Sequence, residues 1–171
     1  MNLLKSAIAT AIAGTALLYA QTPTSPYADL KKNFDMVRDN LQKMAEAMPE
    51  DNYSFKPTPE MRTFGALMAH VADVQAMFCT GVSGAAKPAT VDPKGSKASI
   101  VAALKNSSSL CDSAFESLTP AVAGQPGPMG FSKLGAIEFN TGHSNEEYGY
   151  GSVYLRLKNV TPPSSAGRGG R

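Results

Sequence analysis

The chain contains two histidines, His70 and His143, and an acid, Glu147, stands four residues after the second. On a helix, residues four apart share a face. His143 and Glu147 would therefore present an imidazole nitrogen and a carboxylate oxygen within one turn. His70 lies in the segment Leu67-Met68-Ala69-His70-Val71-Ala72-Asp73. If it faces the pair from another helix, three donors converge inside a bundle. Such donors hold zinc, nickel, manganese or iron, and a cation there can activate a nucleophile. Spacing alone is a weak signal. A His and a Glu four apart are commonly a solvated pair, and a lone His beside an apolar face is commonly a satisfied core residue.

Other residues near the triad have plainer readings. Glu146, three residues after His143, is a poorer match than Glu147 and reads as a surface acid. Tyr148 and Tyr150 could line a pocket, but packing or exposure explains them as well. Arg156 could clamp a substrate carboxylate, although an ion pair anchoring the last helix is the better expectation. The eight methionines are dispersed along the chain and read as core filler, not as a soft-metal site.

The elements that must position these residues are helices. Pro26 at a first helical position, preceded by Ser25 as cap, opens the first. Leu30, Phe34, Val37, Leu41, Met44 and Met48 then recur at spacings of three and four, and Pro49 ends the helix. Residues 49–61 contain three prolines and read as an ordered loop. Thr63 caps a second helix with Phe64, Leu67, Val71, Val74 and Phe78 inward. Residues 81–95 read as a long connection. Ser96 or Ser99 starts a third helix with Ile100, Leu104, Cys111, Phe115 and Leu118 inward. Residues 119–130, rich in Pro and Gly, read as loop. The fourth helix is expected over residues 133–159, with Leu134, Ile137, Val153 and Leu157 inward. Its glycines at 142, 149 and 151 lower intrinsic helix stability by roughly 1 kcal/mol each, which points to close packing or a bend near the triad. No stretch alternates like a strand. The fold class is therefore all-α, a four-helix bundle with at least one long crossover connection.

The N-terminus reads as a targeting segment. Lys5 gives a short positive region, and residues 7–20 are an unbroken apolar or small run. That run is too short for a comfortable membrane span but suits a secretory signal. The expected organisation is a signal peptide at 1–20, the bundle at 21–163 and a flexible Pro/Ser/Gly/Arg tail at 164–171. Cleavage leaves Gln21 first, so the mature chain is exported to the periplasm or medium without stable membrane insertion. It lowers the basic count from 16 to 15 against 14 acids. So balanced a charge, without a basic stripe, excludes nucleic acid as an evident partner. In an oxidising compartment Cys79 and Cys111 would pair between two helices. Two buried free thiols are the alternative.

The run Glu147-Tyr148-Gly149-Tyr150, followed by Tyr154-Leu155-Arg156-Leu157 and Val160-Thr161-Pro162-Pro163, resembles the C-terminal signature of the DinB-like (DinB/YfiT) superfamily of four-helix proteins. Arg62-Thr63-Phe64 through His70 resembles that family's second helix. The resemblance implies a metal site of His70, His143 and Glu147, with Glu147 where the family has a second histidine and Tyr150 where it has glutamine. It further implies a divalent ion (zinc, nickel or manganese) and hydrolase or thiol-dependent transferase chemistry on a small molecule. Homodimers are common in the family. The rival reading is a metal-free helical module, for ligand binding or protein interaction, in which Glu147 marks a degenerate site.

Overall fold

The computed structural model describes residues 26–167. The expected signal peptide, the Ser25 cap and the last four residues of the expected tail lie outside the described residues. Five helices follow in order: α1 (Pro26–Ala47), α2 (Phe64–Ser83), α3 (Lys97–Ser117), a single-turn α4 (Pro120–Ala123) and α5 (Lys133–Leu157). No strand forms among the described residues, and no helix there is long and apolar enough to cross a membrane.

The four long helices form a ring. α1 packs on α3 and α5, and α2 packs on the same two, so α1 and α2 stand on a diagonal. The chain must cross the bundle end to pass from α1 to α2, which explains the long ordered connection 48–63. It crosses again between α3 and α5 through 118–132. That second connection is not the plain loop expected. Pro120 starts the single turn of α4, and a 3-10 turn follows at Pro128–Gly130. Pro pre-sets φ for a helical first position, and that is enough to start one turn within a Pro- and Gly-rich stretch.

Caps set the helix starts. The Thr63 hydroxyl accepts from Ala66 N, Ser96 from Ser99 N, and Ser132 from Gly135 N. α2 runs past Gly81, where a connection was expected, and stops at Gly84. There a φ of 81° closes the helix in the left-handed region.

Hydrophobic burial follows the expected stripe on α1. Phe34, Val37, Leu41, Met44 and Met48 are buried, with Leu30 partly so. α2 and α3 also bury their expected faces, Val74 only in part. α5 does not. Ile137 is buried, but Val153 and Leu157 are 49% and 55% exposed. The inward set is Ala136, Ile137, Asn140, Thr141, Ser144, Glu147, Tyr148, Gly151, Ser152, Tyr154 and Leu155. The polar and small members of this face misled an apolar periodicity. Gly151 has a packing reason, because a Cβ there would run into Met44 Sδ. Gly142 and Gly149 face open space.

A disulfide joins Cys79 on α2 to Cys111 on α3, with Cα atoms 4.8 Å apart. At the C-terminus, Ser164 and Ser165 form a 3-10 turn with Pro163. Tyr148 Oη donates to Ser164 Oγ at 2.8 Å and accepts from Ser164 N at 2.9 Å. The ordered bundle thus extends into the segment expected as tail. Among the described residues Arg156 forms no ion pair of the kind expected. Its guanidinium donates to Ser152 O and Ser165 Oγ, because the neighbours within its reach are a carbonyl and a hydroxyl.

Candidate metal centre

α2 and α5 are neighbours in the ring, and this adjacency brings His70 opposite His143 and Glu147. The thirteen residues from Leu67 to Cys79 carry the apolar face that fixes the rotation of α2, and His70 emerges at its edge, half-buried. On α5 the i,i+4 relation holds. His143 Nε2 lies 3.4 Å from Glu147 Oε1, and His70 Nε2 lies 3.6 Å from the same oxygen. The two imidazole rings meet edge to face, with centroids 5.2 Å apart. One donor atom from each residue falls within 4.8 Å of the others.

These separations are too long for strong hydrogen bonds. They suit donors around a shared cation. Ligands held at 2.0–2.2 Å with tetrahedral angles stand roughly 3.3–3.6 Å apart. Two atoms sharpen the point. Glu147 Oε2 and His143 Nδ1 are buried and have no hydrogen-bond partner among the described residues. A buried carboxylate oxygen left alone costs free energy, so an unmade bond here calls for a partner.

Electrostatics act in the same direction. Burial pushes His70 below its ordinary value of 6.5, aided by the positive charge of Arg62 and by His143, with Asp73 opposing. Burial also pushes His143 down; Glu146 opposes this and Arg62 adds to it. Both shifts favour the neutral imidazole, the form whose lone pair can ligate a cation. Burial raises Glu147 above 4.5; Arg62 opposes that shift and Glu146 reinforces it. An acid destabilised as an anion gains from a neighbouring cation.

An open cleft of about 550 Å³ adjoins the triad, lined by Met61, Arg62, Leu67, Tyr150, Tyr154 and Glu147. A second hollow of about 560 Å³, at the α2 and α3 starts, shares none of these residues. Glu146, as expected, is exposed; it accepts from Tyr150 Oη at 3.0 Å. Tyr150 lines the cleft, whereas Tyr148 is turned to the C-terminal 3-10 turn. Arg62 and Tyr154, which stand out in the sequence only as members of the family-like runs, also line the cleft. Tyr154 Oη donates to Arg62 O at 2.7 Å, a long-range tie that carries no local sequence signal.

An all-α bundle with a His-His-Glu cluster between two neighbouring helices is the class this geometry defines. The family model of the DinB superfamily matches residues 33–150, and the chain belongs to that superfamily. Among solved structures, it is similar to a DinB-like protein from Bacillus cereus ATCC 10987. The identity is 16% and the TM-score 0.66, covering 80% of this chain and 95% of that one. At this identity the likeness concerns the fold. No curated protein matches the chain.

Proposed function

We propose that this DinB-superfamily protein is an exported metal-dependent enzyme of the hydrolase or thiol-dependent transferase type, with His70, His143 and Glu147 as its cation ligands. The observation that carries the reading is the buried Glu147 Oε2, without a partner among the described residues, on a carboxylate whose Oε1 lies 3.4 and 3.6 Å from two imidazole nitrogens. The donor set of two nitrogens and one carboxylate suits zinc, nickel or manganese. A divalent cation supplies Lewis acidity at the site. The chain's own residues fix the two helices, exclude water from the inner side of Glu147 and leave its outer side open to the cleft. Export rests on the sequence of residues 1–20.

Metal content tests the reading. Protein purified without chelator, or incubated with zinc, nickel or manganese, should hold one ion per chain by elemental analysis. The double variant His70→Ala, His143→Ala should hold none. Full retention by the double variant refutes the ligand assignment. One observation favours the metal-free alternative. Glu147 Oε1 is close enough to both Nε2 atoms to pair with a protonated imidazole. No uptake of any of the three ions by the wild-type protein would establish it.

A further inference from the structure

We propose that the cleft beside the triad binds a small organic acid and that Arg62 is the residue that holds its carboxylate. The inference relies on the cation reading only for the orientation of that acid, whose other end faces the triad.

Four observations carry it. Arg62 lines the cleft together with Glu147, so one molecule can touch both. The guanidinium has no hydrogen bond or ion pair among the described residues, although its backbone is fixed: Tyr154 Oη holds Arg62 O at 2.7 Å. Tyr154 stands two turns beyond Glu147 on α5, about 10 Å along the helix axis. That tie sets Arg62 at a defined distance from the triad, on the scale of a small molecule. Finally, the walls between them are Met61, Leu67 and the rings of Tyr150 and Tyr154, a surface for an apolar or aromatic body.

The charge balance selects a carboxylate. Arginine presents a planar fork of donors that matches two carboxylate oxygens. Glu60 also lines the cleft, and Glu146 lies on its Tyr150 side. With Glu147 these make three acids around a single arginine, a balance that suits a monoanion and disfavours a phosphate dianion.

The test uses the full mature chain, metal-free and zinc-loaded. Benzoate, its neutral isostere benzamide, and inorganic phosphate are titrated while backbone amide shifts are followed. Benzoate should perturb Arg62, Leu67 and Tyr150, and should bind more tightly than benzamide or phosphate. Arg62→Gln should weaken benzoate roughly tenfold, the effect of losing one charge-assisted pair. Arg62→Lys should weaken it less. Glu60→Gln should leave benzoate binding intact or strengthen it. The proposal is overturned if benzoate does not bind, if Arg62→Gln binds it as the wild type does, or if benzamide or phosphate binds as tightly. A chain that takes no zinc defeats the cation reading. The dependence of benzoate on Arg62 in metal-free protein still decides the role of that residue.

Discussion

Two polar clusters share α2 and α5, the second reaching α3 as well, and have opposite characters. One is the triad, His70 on α2 with His143 and Glu147 on α5. The other lies farther along α2, around Gln75. Its Oε1 accepts from Ser107 Oγ at 2.9 Å and Ser108 Oγ at 3.4 Å, and its Nε2 donates to Ser144 Oγ at 3.3 Å. Asn140 Nδ2 sits 3.7 Å from both disulfide sulfurs. These residues are buried, and the single loose end is Asn140 Oδ1. Apart from that one oxygen, the Gln75 cluster answers its own hydrogen-bonding needs and holds helices together. The triad does not, and it opens on a cleft. A buried polar group satisfied by its neighbours reads as architecture; one left unsatisfied beside a cavity reads as a site for something from outside.

The largest expected effect separates the clusters by metal. Glu147→Gln should weaken zinc binding by about a hundredfold or more, without loss of stability in the metal-free protein. A metal-free variant that melts well below the wild type would place the triad with the architecture. Next, replacing Cys79 and Cys111 by alanine opens a link with a sequence separation of 32. Loop-closure entropy predicts a cost of about 3–4 kcal/mol in denaturant unfolding, with zinc stoichiometry unchanged. Gln75→Ala should cost about 2 kcal/mol, since it opens a hole in the interior and takes the partner of Ser144 Oγ, while Ser107 and Ser108 keep Leu104 O as acceptor. Its zinc affinity should stay within a few-fold of wild type, and a large loss would mean that the two clusters are coupled.

The smallest effect is in pH. Both histidines are lowered in the fold, so the unfolded chain binds more protons just below 6.5. Metal-free stability from this source is present above 6.5 and is lost as pH falls through the folded values. Glu147 acts in the opposite sense: being raised above 4.5, it favours the fold when protonated and loses that contribution as pH rises through its folded value. Glu147→Gln should therefore steepen the rise of stability with pH, as read by urea midpoints across pH 4.5 to 7.

Legibility in the sequence followed the same division. The α1 register could be read almost residue by residue, because its inner face is apolar and its outer face charged. The triad could be read from i,i+4 spacing and family resemblance, since histidine is rare in this chain. The inner face of α5 could not. Asn140, Ser144 and Gly151 are inward because the helices approach closely and because Gln75 needs partners there. Neither reason is local. Arg62 escaped notice because its relation to the triad passes through Tyr154, 92 residues away.

One consequence concerns α2. Oxidation ties it covalently to α3 through Cys79, and the proposed ion would tie it to α5 through His70. Its grip on each flank therefore depends on a different feature of the surroundings, electron acceptors on one side and trace metals on the other. A reduced, metal-free chain would lack both ties and hold α2 in the ring by side-chain packing against α3 and α5 alone.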